Sequence, residues 1–253
     1  MKAIVFDRIG PPLEVLQLRD VPVPEIRDNE VLVKMTAVSI NPGDFLFIQN
    51  LYPDPKKPHF PQQIAGNHGA GVITRVGKKA SLQPGTLVGF SYYNAWAEYV
   101  AVPVEWLIPL PSDYPIEKAA QLVNPITAWD LLGESRVQPG QRLAVIELSS
   151  LSGGIGEQIM EITENHGVDG VIDCVGGALL GELIRCAASG GQVILYGGYR
   201  SERFELHNFD LLMKGSAIKS YIHRYSSHHR KKRTRSCCEK LWALLGDRIL
   251  EFQ

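Results

Sequence analysis

The sequence lacks the excesses that would assign a chain of 253 residues to a specialised class. Its 26 Lys and Arg are balanced by 27 Asp and Glu, a net charge of −1, so no global field draws it to nucleic acid or to an anionic membrane. No apolar run approaches the ~18 residues that a membrane span needs. Cysteine is scarce: Cys174, Cys186, Cys237 and Cys238 include no C-x-x-C pair, so zinc-ribbon and dithiol motifs are missing, and the four read as reduced thiols of a cytoplasmic protein. Internal repeats and low-complexity linkers are missing too. The opening MKAIVFDRIG carries one Lys and an apolar run too short for a signal peptide, and reads as a first strand.

What is present changes character along the chain. The first ~110 residues are β-rich. AIVF, VLVKMTAVSI, GAGVITRVG, TLVGF and AEYVAVP are short β-branched or aromatic runs, punctuated by Gly, Pro and Asn at the spacing of a barrel or sandwich. Pro109, Pro111 and Pro115 then exclude regular helix until IEKAAQL. From about residue 116 strands and helices alternate. IEKAAQLVNPITAWDLLGES reads as helix, Asn-Pro break, helix. RLAVIEL, VDGVIDCVGG and QVILYGGY read as strands. EQIMEITENHG reads as a helix stopped by Gly167, and GELIRCAASGG as a helix closed by Gly190-Gly191. That alternation predicts a parallel sheet of βαβ units, and glycines at strand C-terminal ends suit a ligand crevice or simple turns.

Three stretches are candidates for chemistry. SSLSGGIGEQ follows a strand and opens a helix, so Gly153, Gly154 and Gly156 can bring backbone N–H groups against a pyrophosphate; an ordinary glycine turn is the alternative. Asp173 lies 20 residues beyond Gly153, where a ribose-binding carboxylate belongs. INPGDFLFIQNLYP turns at Asn41-Pro42-Gly43-Asp44, runs through four apolar residues and ends on Tyr52 before Pro53. That tyrosine is either an amphipathic loop residue or a hydroxyl aimed at a substrate. HHRKKRTRS, residues 228–236, is basic enough to bind an anion or nucleic acid or to act as a localisation signal, but reads rather as a solvated helix face or loop, because the rest of the chain shows no basic stripe. CCEKLWALLGDRILEF reads as an amphipathic helix.

NEVLVKMTAVSINPGDFLFIQNLY, IAGNHGAGVITRVG, LQPGTLVGF, AWAEYVAVP, LVNPITAWDLL, VQPGQ, GVDGVIDCVGG and SGGQVILYGGY occur in this order. Together they resemble the medium-chain dehydrogenase/reductase superfamily, and within it the branch of enoyl thioester reductases and quinone oxidoreductases. The resemblance implies an α/β chain with a GroES-like β-barrel catalytic domain over 1–115. A partial Rossmann domain, a doubly wound parallel sheet that binds the nucleotide, is implied over 116–253. It implies NADPH as cofactor, an enoyl or quinone small molecule as substrate, and a possible homodimer. In that branch Asn-Pro-x-Asp is followed by a tyrosine that donates a proton, and Tyr52 matches it; a phenol with a pKa near ~10 holds its proton at neutral pH. The resemblance makes Asn124 a contact to the cofactor, together with Ser152, Gly153, Gly154 and Ile155, the run Tyr196, Gly197, Gly198 and Tyr199, and the run Tyr221, Ile222 and His223. Asn41 and Thr127 line the same cleft in such enzymes.

Zinc-dependent members carry Cys where this chain has Ser39, and a His-Glu pair where it has Asn67-His68, so no metal is expected. Two departures stand out. GVDGVIDCVGG resembles the fourth strand of the nucleotide fold yet follows the Gly-rich loop after one helix, so the second and third strands are expected to be missing and Asp173 to be a strand residue. The elements that return to the barrel after Phe252 are also expected to be missing. A non-catalytic remnant that only binds a partner is therefore the competing expectation.

Overall fold

The structure, a computed structural model, describes residues 1–51, 57–147, 154–200 and 202–222. The chain divides into two compact units, Met1–Pro125 and Ile126–Gln253.

The first unit is built from β1 (Lys2–Phe6), α1 (Pro12–Val15), β2 (Gln17–Asp20), β3 (Glu30–Val38), α2 (Pro42–Ile48), β4 (Gln63–Ile64), β5 (His68–Val76), β6 (Leu87–Ser91), β7 (Tyr99–Pro103), β8 (Leu107–Leu110) and α3 (Ile116–Ala120). Strands β7-β3-β5-β6-β8 form one antiparallel sheet and β2-β1-β4 another, with a bridge between Ala3 and Ala97. The β-branched runs supply the core: Val31, Val33, Ile73, Val88, Val100 and Val102 are buried with Phe6, Phe47, Phe90 and Trp96. The β3–β5 ladder slips twice, between Leu32 and Val33 and between Met35 and Ala37, as strands do when a sheet bends sharply. Only glycine fits at position 71, since a Cβ there would stand 2.1 Å from the Lys34 carbonyl oxygen.

The texture change at residue 116 precedes the division between units because α3 packs on β3, β5 and β6. Helix α4 (Val123–Ser135) begins before Asn124-Pro125 rather than breaking there. Pro125 sits in its first turn, where a missing N–H costs nothing.

The second unit continues with β9 (Leu143–Ile146), α5 (Ile155–Ile162), β10 (Val168–Asp173), α6 (Ala178–Arg185), β11 (Ala187–Leu195), α7 (Asn208–Leu212) and β12 (Ala217–Ser220). Its four strands run parallel in the order β12-β11-β10-β9. The pleat sends alternate residues to opposite faces. Val171 and Val193 meet Leu179, Leu183, Ile184, Ile155 and Leu211 from α5, α6 and α7. Ile172 and Ile194 meet Leu131 of α4 and Tyr221 on the other face.

One element departs from the sequence reading. The pair Gly190-Gly191 does not close a helix: α6 ends at Arg185 and both glycines lie inside β11. The β10–β11 register is irregular there, and Gly190, at φ +74°, supplies the left-handed residue that irregularity needs.

Candidate functional site

In the first unit the motif Asn41-Pro42-Gly43-Asp44 is a helix start rather than a free turn. Asn41 is the N-cap of α2, Pro42 is its first residue, and the backbone N–H of Asn41 donates to Asp44 Oδ2 at 2.7 Å. The Asp44 carboxylate, 1% exposed, also accepts from Asn67 Nδ2 at 2.8 Å. Burial pushes this carboxyl from 3.8 up to about 6, against the hydrogen bonds from Asn41 and Asn67 that pull it down. Exchanging the Asn67 amide atoms would set a carbonyl against an ionised Asp44, so Asp44 fixes that side chain. The buried Asn67 Oδ1 has no donor among the described residues.

The Asn41 side chain is held as firmly. Its Nδ2 donates to Ser39 Oγ at 2.9 Å and lies 3.2 Å from His68 Nδ1. Asn124 Nδ2 stands 3.5 Å from Asn41 Oδ1. Trp96 Nε1 donates to the Ser39 carbonyl at 3.2 Å. Strands β3 and β5 therefore present Ser39, Asn67 and His68 around the helix start. Among the described residues no three His, Cys, Asp or Glu side chains form a group that could hold a metal.

In the second unit the candidates gather at the C-terminal ends of the parallel strands. Gly154, at φ +94°, caps α5, and Ile155, its first residue, packs into the core. Tyr196 follows β11, and its N–H donates to the Asp173 carbonyl at 2.9 Å. Burial first, then the Cys174 thiol beside it and the carboxylates of Glu147 and Asp173, raise the Tyr196 phenol far above its ordinary value. Burial, with Asp173 and Glu147, likewise raises the Cys174 thiol, whose Sγ donates to the Ile146 carbonyl at 3.1 Å. Gly197 is tightly packed, since a Cβ there would lie 2.2 Å from the Cys174 carbonyl, whereas one on Gly198 would meet no atom within 4 Å. Tyr199 and Ile222 are exposed. Tyr221 is buried and donates to Asp130 Oδ2 at 2.9 Å. Thr127 is half-buried on α4.

Asp173 is not a ribose ligand. It is fully buried, and its carboxylate accepts from the N–H groups of Val175 at 2.8 Å and Gly176 at 3.1 Å, which locks the turn after β10. Burial raises its pKa despite those bonds. Tyr52, Ser152, Gly153 and His223 lie outside the described residues, as do Cys237, Cys238, the basic run at 228–236 and the helix predicted after it. The sequence reading gave no role to Asp44, Asp130 or Cys174. The Asn-x-x-Asp spacing of a capping box could have flagged the first; nothing local flags the other two.

The alcohol dehydrogenase GroES-like domain family matches residues 27–112, and the zinc-binding dehydrogenase family matches residues 144–238. The chain belongs to the medium-chain dehydrogenase/reductase superfamily. Among its relatives in this superfamily is the mitochondrial enoyl-[acyl-carrier-protein] reductase of Xenopus tropicalis. It is 34% identical over 172 residues, which are 66% of this chain and 47% of the frog protein. The protein of the same name from Rattus norvegicus is 27% identical over 284 residues, covering 90% of this chain and 74% of the rat protein. The chain thus spans about half the length of the frog relative and about three quarters of the rat one. Solved structures share the superfamily fold. The quinone oxidoreductase of Pseudomonas syringae superposes with a TM-score of 0.84 at 20% identity, covering 100% of this chain and 90% of that one. A mycobacterial protein complexed with NADPH superposes with a TM-score of 0.86 at 19% identity, covering 100% and 91%. Among the described residues no helix is long and apolar enough to cross a membrane. The cytoplasmic compartment read from composition stands beside relatives named as mitochondrial.

Proposed function

We propose that the chain is a zinc-independent oxidoreductase that reduces an activated C=C bond, of the enoyl thioester type, with NADPH as hydride donor. The observation that carries this reading is the helix start at α2. There the buried Asp44 carboxylate takes the Asn41 N–H and the Asn67 amide, and the Asn41 side chain contacts Ser39 and His68, so polar side chains occupy Ser39 and Asn67-His68, where zinc-dependent members carry a Cys and a His-Glu pair. The names of the curated relatives support the thioester, and the NADPH complex among the structural neighbours supports the donor.

The strand ends of the second unit suit the nicotinamide half of such a cofactor. The space at Gly198 is open, and the N-cap of α5 is a glycine whose own Cβ position is nearly clear, with Glu157 Oε2 4.0 Å away. In this reading Asn124, Thr127 and the runs 152–155, 196–199 and 221–223 hold the cofactor. When bound, it supplies the hydride to the β-carbon. Tyr52, four positions after the end of α2, supplies the proton to the α-carbon, directly or through a water it holds. The capped start of α2 fixes the helix that leads to it.

The test is turnover of a crotonyl-type thioester followed by loss of NADPH absorbance. Tyr52→Phe should lower kcat by roughly 100-fold or more, the usual worth of a general acid, while the NADPH Kd stays within about twofold. Equal loss of binding and turnover would make Tyr52 a structural residue. A second reading, a non-catalytic binding protein, is favoured by the single short crossover between β9 and β10; binding of NADPH without turnover by the wild-type chain would establish it.

A further inference from the structure

The four parallel strands of the second unit are wound in one direction. From β9 to β10, β11 and β12 each connection moves the chain one place along the sheet. Right-handed crossovers of that kind put every connecting helix on the same face, and α5 does pack on α6, and α6 on α7. A doubly wound sheet binds a dinucleotide where the strand order reverses, with one mononucleotide half on each side of the reversal. Among the described residues the strands β9 to β12 contain no reversal, and β9 is the last strand of the order.

The connection itself leaves no room for the other half. Glu147 to Gly167 is all the chain between β9 and β10, and α5 takes up Ile155–Ile162. An additional strand and helix need most of a further βαβ unit, about 30 residues. The charge of this stretch points the same way. It carries Glu147, Glu157, Glu161 and Glu164 and no Lys or Arg. A 2′-phosphate is commonly met by guanidinium or ammonium groups, and these carboxylates would repel it. Asp173, the acidic residue at the spacing of a ribose ligand, is engaged by Val175 and Gly176.

We infer that the second unit holds a reduced nicotinamide cofactor through its nicotinamide mononucleotide half alone, and reads neither the adenosine nor the 2′-phosphate. This rests on the reading of the chain as a nicotinamide-dependent reductase and narrows it: NADPH is one acceptable donor among several.

Calorimetric titration of the full chain with NADPH, NADH, reduced nicotinamide mononucleotide and 2′,5′-ADP tests the inference. The three reduced nicotinamides should bind with dissociation constants within about threefold of one another, a difference of well under 1 kcal/mol, and 2′,5′-ADP should give no heat. Gly198→Leu, which fills the open space at the strand end, should weaken all three alike. NADPH binding at least about tenfold tighter than the mononucleotide, or displacement of NADPH by 2′,5′-ADP, overturns the inference and leaves the reductase reading standing. Absence of binding by every reduced nicotinamide overturns both.

Discussion

Asn67 Nδ2 donates to Asp44 Oδ1 at 2.8 Å, joining the start of β5 to the first turn of α2 across 23 positions of sequence. The same carboxylate takes the Asn41 N–H, so one buried acid closes two loops at once. Removing it leaves two donors without partners. Asp44→Ala should therefore lower stability by roughly 2–4 kcal/mol, the sum expected for a lost cap and an orphaned buried donor, read by urea denaturation. A loss below about 0.5 kcal/mol, the size of an ordinary surface change, would mean that the network is relaxed or replaced by water.

Asp44 also makes a pH prediction. Its folded pKa, about 6, exceeds the ordinary 3.8, so the folded chain binds the proton more tightly than the unfolded one. Its contribution to stability is fully present below 3.8 and is lost as pH rises through about 6. At about 1.4 kcal/mol per unit the loss is on the order of 3 kcal/mol. Asp44→Asn has no proton to release. Its melting temperature should gain on the wild type as pH rises from about 4 to about 6.5, and a constant difference between the two proteins would contradict the assignment.

Gly66 faces the indole of Trp96. A Cβ at this position would stand 2.1 Å from Trp96 Cδ1, and the backbone is at φ +84°. Gly66→Ala must strain the backbone and move a ring whose Nε1 holds the Ser39 carbonyl. The expected cost is about 2–4 kcal/mol, accompanied by a shift in tryptophan emission. An unchanged melting temperature would show that the ring has an alternative seat.

Much of this architecture is legible in the sequence. The β-branched runs give β3, β5, β6, β10 and β11, because burial of Val and Ile on a pleated face leaves a pattern of period two or a short apolar run. The glycines after β10 and β11 mark strand ends for the same local reason. Partnerships across long separations are not legible: Asp44 with Asn67, or Tyr221 with Asp130 at 91 positions, depend on how strands are ordered in space. Gly190-Gly191 was misleading because a helix stop and a bulge both use a left-handed glycine, and only the pairing with β10 tells them apart. The motif at Asn41 fell between, since its capping spacing is local and its contacts to Ser39 and His68 are set by the fold.

Tyr221 sits in the core of the second unit with Leu131, Ile172 and Ile194, and its hydroxyl donates to Asp130. Tyr221→Phe keeps the ring and removes that bond. It should cost about 1 kcal/mol, a fall of a few degrees in melting temperature for a domain of this size. If the residue served only as a ligand contact, the melting temperature would not move.

Among the described residues β9 pairs only with β10, and Val145 on it is 56% exposed. An exposed β-branched side chain on an unpaired edge is a template for another strand, which proteins commonly disarm with lysine. Val145→Lys adds a charge without removing a core contact, so stability should change by no more than about 0.5 kcal/mol. The rate of light-scattering growth on heating should fall several-fold. Aggregation that keeps its wild-type rate in this variant would place the sticky surface elsewhere, with the apolar residues exposed near α7, Phe209, Leu212 and Met213, the next to test.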